Sequence, residues 1–435
     1  MEKQVKKVYI ETLGCQMNKS DSERILGILS HFDYVPTQNE DEADFCIINT
    51  CSIRKLSEDK AYSKLGVWGK MKKEKGLPSK IAICGCVAQQ EGQKLLKRFP
   101  YLDLVFGTHN IYELPDLINK EGRVCAIRDK AVDEAEFNII RSEGLNAWLP
   151  IIEGCNNFCS YCIVPYTRGR ERSREPQRII DEAKNIVAQG FKEITLLGQN
   201  VDSYGKDLPE KPTLAYLLRE IEKIEGDFRI RFTTSYPTDI TDELIETVKN
   251  SKKVCECFHI PMQSGSSRVL KAMNRRYDRE QYAQIVKKIR ENIKDVTITS
   301  DFIAGFPSET REEFEQTLSA IDEFKLDYSN TAAYSPRPGT PAAKWVDKYV
   351  DEEEKKDRLW VLNEKIKESV LKSNELYCGR TMEILVEKFN DGLFEGRTRN
   401  NKVVHFPSDS AKIGDFVQVK INRASTWCLF GEAIF

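Results

Sequence analysis

At 435 residues the chain is too long for one ordinary domain, and two or three are expected. Hydrophobic content of 40% and charged content of 31% suit a globular protein with a sizeable core. No apolar run is long enough to cross a bilayer, and the start, Met-Glu-Lys-Gln-Val-Lys-Lys7, lacks the apolar core of a signal peptide, which sets membrane and secreted classes aside and points to the cytoplasm. Thirteen cysteines in such a chain argue for metal or redox chemistry rather than disulfides. A net charge of −2 carries no global nucleic-acid signal, so any RNA contact has to be made by local patches.

Short apolar, β-branched runs at 7–14, 43–50 and 80–85 are each followed by a helix-like stretch, at 20–31, 55–74 and 90–98. Such alternation predicts a parallel sheet with helices on its faces. Residues 104–107 add a strand and 111–118 a helix. Cys15, Cys51 and Cys86 each fall just past the carboxyl end of a strand, the edge where open α/β sheets bind ligands, so three thiols far apart in sequence are expected to converge there. The plainer reading is that small, apolar cysteine suits a strand end. That reading is kept for Cys46 and Cys84, which lie inside strands. The weakly patterned stretch from about 122 to 145 reads as a linker.

From Leu149 the alternation resumes, with strands at 149–153, 193–198, 229–235, 256–262, 296–304 and 328–334 and helices at 176–189, 213–224, 240–250, 278–292 and 309–323. Six βα units predict a (β/α)6 partial barrel, open on one side, with its site at the carboxyl ends of the strands. Directly after the first strand comes Glu153-Gly-Cys-Asn-Asn-Phe-Cys-Ser-Tyr-Cys162. Cys155, Cys159 and Cys162 make three thiolates on one tight loop with no fourth ligand nearby. A structural zinc site closes its fourth position, whereas a [4Fe-4S] cluster on three cysteines keeps one iron open. Further strand ends carry Gly198, Gln199 and Asn200, then Ser235, then Gln263 and Ser264, then Ile303 and Gly305. With Tyr161 these are the candidate cofactor contacts, although any one glycine taken singly reads as an ordinary turn. Arg168, Arg170, Arg172 and Arg174 alternate along the next turn, an arrangement suited to phosphate, with a solvated loop as the alternative.

A Glu- and Lys-rich helix at about 351–376 leaves the barrel. Alternating runs at 381–388, 392–398, 401–406 and 416–421, separated by turns such as Asn390-Asp-Gly392, predict a small antiparallel barrel. Its Arg380, Arg397, Arg399, Lys402 and Arg423, with Phe394, His405 and Phe406, are candidate RNA contacts.

The cluster loop resembles that of radical S-adenosylmethionine (SAM) enzymes, and the 303–309 turn resembles their adenine-binding turn. Taken together, Thr12-Leu-Gly-Cys-Gln-Met-Asn18, Asn49-Thr-Cys-Ser-Ile-Arg54, Gly85-Cys-Val-Ala88 and Gly154 to Gly169 resemble the methylthiotransferase family of radical SAM enzymes across essentially the whole chain. Cys-Gln-Met-Asn and Cys-Ser-Ile-Arg point to its tRNA branch. The resemblance implies domains at 6–122 (methylthiotransferase), 141–371 (radical SAM core) and 374–435 (TRAM, RNA-binding). It also implies an auxiliary [4Fe-4S] cluster on Cys15, Cys51 and Cys86 and a radical SAM [4Fe-4S] cluster on Cys155, Cys159 and Cys162, the two facing each other.

The implied reaction adds a methylthio group to N6-isopentenyladenosine beside the anticodon, at tRNA position 37. Two SAM molecules serve, one as methyl donor and one as source of the radical that removes an inert ring hydrogen. The implied partners are the tRNA anticodon arm and a flavodoxin or ferredoxin electron donor, with the enzyme a monomer. The alternatives are a methylthiotransferase for threonylcarbamoyl-adenosine or for a ribosomal aspartate, and a non-catalytic iron-sulfur or RNA-binding protein.

Overall fold

The computed structural model describes residues 5–52, 55–130 and 138–434. The chain divides into two compact units, one of residues 1–143 with 153–156 and 163–171, the other of 144–152, 157–162 and 172–435.

In the first unit six parallel strands lie in the order Tyr34–Pro36, Lys6–Leu13, Phe45–Thr50, Lys80–Gly85, Leu104–Phe106, Val124–Ala126. Every residue of Phe45–Thr50 is buried, as a strand covered on both faces requires. Phe45 and Ile47 join one core with Ile25, Ile28 and Leu29 of the Gln16–Ser30 helix, while Cys46 and Ile48 join the other with Leu65 and Trp68 of the Lys55–Lys75 helix. Cys46 and Cys84 are core residues, as expected, and burial pushes the Cys46 thiol up to about 12.

Three local expectations need correction. The helix at 90–98 is two short helices, Cys86–Glu91 and Gln93–Arg98, broken at Gly92, whose φ of 48° ends the first. Two edge strands, Tyr34–Pro36 and Val124–Ala126, escaped the pattern, and the second lies within the stretch read as a linker. Of that stretch, 131–137 lies outside the described residues, as do Ile53 and Arg54 of the second motif and Phe435 at the end of the barrel domain.

The second unit holds six parallel strands: Asn146–Pro150, Glu193–Leu197, Arg229–Phe232, Cys257–His259, Thr297–Ala304 and Tyr328–Ala333. They form two three-stranded ladders joined by a parallel bridge from Ile230 to Val254. Among the described residues no ladder closes the sixth strand onto the first, so the barrel is open on that side. Helices follow the strands, and one continuous apolar core runs from Ala147 to Val370.

After the Glu352–Glu375 helix, five strands close into a small barrel in the order Thr381–Asn390, Leu393–Thr398, Val403–Phe406, Leu429–Ile434, Phe416–Ala424. Its first hairpin turns at Asp391 and Gly392, both at positive φ, as a two-residue Asp-Gly turn demands. The fifth strand, Leu429–Ile434, was missed in the sequence.

This small barrel docks on the amino ends of the six-strand barrel. Arg231 donates to Glu193 at 2.6 Å and to the carbonyls of Thr398 and Arg399, and Arg229 donates to the Arg397 carbonyl and the Glu383 carboxylate. Arg397 donates to Glu193 and Glu387, and Arg399 to Glu256 and the carbonyls of Lys252 and Val254. Burial opposes charge on Glu193, but Arg231 and Arg397 hold its carboxyl below the ordinary range. The donors of Arg397 and Arg399, both expected to meet RNA, are thus engaged with carboxylates and backbone carbonyls inside the fold.

Candidate cluster and cofactor sites

In the first unit the order of the sheet reverses between Lys6–Leu13 and Phe45–Thr50, and a crevice outside the carboxyl ends of strands opens at such a switch point. Cys15 leaves the first of these strands, Cys51 the second and Cys86 the adjacent Lys80–Gly85. Their thiols meet, with Cys51 hydrogen-bonded to both Cys15 and Cys86. Sharing with Cys51 lowers the other two, Cys15 to about 6 and Cys86 to about 7, against the opposing cost of burial and with help from the Arg168 charge, while Cys51 itself is raised. Three soft thiols in contact, two of them shifted toward thiolate by the third, are a fitting donor set for iron and sulfide. Among the described residues no three such side chains stand in finished metal-ligand geometry, so the trio is a set of thiols in contact rather than a formed coordination sphere.

The surrounding motif residues hold these strand ends together. Asn18 Nδ2 donates to Asn49 Oδ1 at 2.9 Å, and Asn49 Nδ2 donates to the Asn18 carbonyl and to Ser22. Gly85 has φ 87°, and a Cβ there would lie 2.4 Å from Asn49 Oδ1 and 2.6 Å from the Thr50 carbonyl, so only glycine passes. Arg168 is buried in an ion pair with Asp21 at 2.5 Å. Expected among the RNA contacts, it lies buried with its charge acting on Cys15 and Cys86. Of the other loop arginines, Arg170 is exposed and Arg172 half-buried. Arg174 donates to the Pro150 carbonyl and Glu182, so its guanidinium also serves the fold. Also in this unit, Cys155 N–H donates to the Gly169 carbonyl and Asn156 pairs with Glu171.

In the second unit the loop carrying Cys159 and Cys162 is stitched to the end of the Ser267–Ala272 helix. Ser160 donates to the Met273 and Ala272 carbonyls, and Asn274 donates to the Phe158 carbonyl. Arg275 was not read from the sequence. It donates to the Cys159 sulfur at 3.4 Å and to the Pro261 carbonyl, and its guanidinium lies 4.6 Å over the Tyr236 ring and 5.0 Å over that of Tyr277. The only cue was Asn274-Arg-Arg-Tyr277, a dense polar run after a short apolar helix.

The candidate cofactor residues fall at the expected strand ends. Asn200 donates to Asp239 at 2.6 Å and keeps its buried Oδ1 without a hydrogen-bond partner, an acceptor fit for an ammonium or hydroxyl. Gly198 is crowded, since a Cβ would meet Ile152 at 2.5 Å, and Gln199 is half-buried beside it. Gln263 takes φ 76° and bridges to Phe302, and Ile303 is half-exposed on the strand. Tyr161 packs edge-on to Phe306. Ser235 and Ser264 are buried, their hydroxyls engaged with Asp202 and Thr317. Asp202 also accepts from the Tyr236 N–H, and burial raises its carboxyl to about 7.

The Gly305 turn is clamped by the long helix. Gly305 N–H donates to Glu309, Arg358 donates to the Glu309 carboxylate and carbonyl, and the buried stem of Lys355 packs on Gly305 itself. At its other end the same helix reaches the small barrel, where Asn374 donates to the Ser425 and Thr426 carbonyls.

Residues 149–321 match the Radical SAM superfamily, 375–434 the TRAM domain, and 7–107 a group described as Uncharacterized protein family UPF0004. Among solved structures, the radical S-adenosylmethionine methyltransferase TsrM from Kitasatospora setae superposes with a TM-score of 0.58 over 78% of this chain and 77% of its own, at 13% identity, a likeness of fold. The cobalamin-dependent radical enzyme OxsB does so at 0.53 over 81% of this chain and 56% of its own, also at 13% identity. Partial barrel and cluster loop thus define a radical SAM enzyme, with a thiol-bearing sheet before the barrel and a TRAM barrel after it. Two tRNA-2-methylthio-N(6)-dimethylallyladenosine synthases align over nearly everything. That of Acetivibrio thermocellus is 46% identical over 99% of this chain and 91% of its own, and that of Carboxydothermus hydrogenoformans 47% identical over 99% of each. The chain belongs to this synthase family.

Proposed function

We propose that this chain is a radical SAM methylthiotransferase that converts N6-isopentenyladenosine, at position 37 beside the tRNA anticodon, to its 2-methylthio derivative. The observation that carries the reading is near-complete alignment, at 46–47% identity, with synthases named for that product. The cofactors are SAM and [4Fe-4S] clusters. In this proposal Cys155, Cys159 and Cys162 hold one cluster and Cys15, Cys51 and Cys86 the other, within domains bounded at 6–122, 141–371 and 374–435. Bound on three thiolates, an iron-sulfur cluster supplies an open iron for SAM and the electron for its reductive cleavage.

The chain's own residues set the conditions for that chemistry. The Arg275 N–H aimed at the Cys159 sulfur steadies negative charge on that ligand. Asn200 Oδ1, the Gln263 backbone, Ile303 and the Gly305 turn orient SAM, and Glu309 and Arg358 fix the turn. Arg170 and Arg172 supply phosphate contacts. Among the described residues no helix is long and apolar enough to cross a membrane, in keeping with a cytoplasmic enzyme, which we take to be a monomer served by a flavodoxin or ferredoxin.

The test is the reaction of reconstituted protein with isopentenylated tRNA anticodon stem-loop, SAM and reductant. Mass analysis of the nucleosides is expected to find the methylthio derivative. Conversion of a threonylcarbamoyl-adenosine stem-loop or a ribosomal protein in its place would overturn the reading.

A further inference from the structure

The TRAM barrel's docking on the radical SAM barrel engages four of its eight cations, and a fifth is paired within the small barrel. Arg380 pairs with Asp295, Arg397 with Glu193 and Glu387, Arg399 with Glu256, Lys402 with Asp327, and Lys388 with Glu395. Phe406 is fully buried in the small barrel's core and Phe394 nearly so. Arg423 is different. It is exposed and, among the described residues, pairs with no carboxylate. Its guanidinium lies 3.6 Å over the ring of Phe430.

Strand register makes this a built feature. Glu395 stands opposite His405, His405 opposite Phe430, and Phe430 opposite Arg423, one line across four strands. Val404, Phe406 and Leu429, next to His405 and Phe430, are buried, so by strand alternation those two side chains are on the outer face, and Arg423 opposite Phe430 is exposed with them. The register slips between Ile421 and Arg423, and a bulge of this kind re-aims a side chain, here onto Phe430. The His405 ring stacks on Phe430 with centroids 5.7 Å apart and planes 29° from parallel. The one carboxylate in the line, Glu395, is held by Lys388 at 3.0 Å.

We infer that Arg423, Phe430 and His405 form a stacking platform for an unpaired base of the tRNA substrate. The inference rests on the reading that the substrate is tRNA. A flat guanidinium backed by an aromatic ring offers a base a π-face and its phosphate a positive charge, which is how unstacked RNA bases are held. An acidic protein surface would use the charge but gain nothing from the stacked planes.

The test measures binding of an isopentenylated anticodon stem-loop to the reconstituted full-length protein by fluorescence anisotropy across a salt series. Arg423→Ala is expected to weaken binding about 5- to 100-fold and to flatten the salt dependence by about one phosphate contact. Arg423→Lys keeps the charge but loses the plane, so affinity falls while the salt slope stays. Phe430→Ala is expected to weaken binding as well, and an unchanged urea midpoint shows that the variant is folded. Because Phe430 is half-buried, the Arg423 pair decides if that midpoint shifts. Affinities within twofold of the parent for both Arg423 variants overturn the platform, as does full rescue by Arg423→Lys, which would leave only a point charge. A parent protein that binds the stem-loop without methylthiolating it would sink the proposed reaction and leave the platform standing.

Discussion

The amino-terminal sheet and the central barrel both bring thiols to the carboxyl ends of parallel strands, but by different routes. In the sheet, Cys15, Cys51 and Cys86 come from three separate strands and meet only because the register is right. The barrel carries its thiols on one loop after its first strand, where chain connectivity alone keeps them near. Each region also clasps neighbouring strand ends with a buried polar group. The sheet uses a neutral amide pair, Asn18 and Asn49, and the barrel uses a carboxyl, Asp202, bonded to Ser235 and the Tyr236 N–H. A thiol set assembled by register is vulnerable to backbone changes at a distance, whereas a loop-borne set answers mainly to its own residues. An amide clasp is indifferent to pH, and a carboxyl clasp is not.

The largest expected effect is at the loop. Cys159→Ala removes one of three proposed ligands, and 5′-deoxyadenosine formation from SAM should vanish, as read by chromatography of the reconstituted protein. Normal yield would remove the loop from the chemistry. Next comes the triple change of Cys15, Cys51 and Cys86 to Ala. Iron and sulfide should fall to roughly half with SAM cleavage retained and methylthio transfer lost, because the two sets are independent. Unchanged iron would return the trio to simple packing.

The clasps differ in a third measurement. The Asp202 carboxyl, ordinarily at 3.8, is raised to about 7 by burial, so the folded state holds this proton more tightly than the unfolded chain. That contribution is fully present below about pH 4, drains away as pH rises, and is gone above about pH 7. Between pH 5 and 8 the parent should lose about 3 kcal/mol relative to Asp202→Asn, seen as converging or crossing urea midpoints. Parallel midpoints would show that Asp202 titrates normally. Smallest is Gly85→Ala, expected to cost about 1–3 kcal/mol by forcing a side chain into positive φ against Asn49 and Thr50. Auxiliary iron should drop while the loop cluster stays. Equal loss from both would mean the sheet does not assemble its thiols separately.

Much of this architecture was legible because it is periodic. Buried strands such as Phe45–Thr50 are unbroken apolar runs, and Asp391-Gly392 announces its hairpin. Tyr34–Pro36 and Val124–Ala126 are three residues each, too short to show a period. The five consecutive buried polar residues Ser20 to Arg24 run against the usual pattern of a surface helix. They are bearable because of partners far along the chain, such as Arg168 for Asp21, 147 residues away. The same holds for Arg397, whose carboxylate Glu193 lies 204 residues away. An arginine's charge is visible in a sequence, but whether it meets solvent or a buried acid is a long-range fact.

The helix Glu352–Glu375 has 24 residues and so runs about 36 Å without a break. Arg358, near its start, clamps the turn proposed to hold SAM, and Asn374, at its end, is anchored to the TRAM barrel. The helix is therefore a ruler. Each residue inserted or removed between these two points shifts them by about 1.5 Å and rotates one against the other by about 100°. The spacing and the phase between the cofactor turn and the TRAM barrel are written in a single residue count.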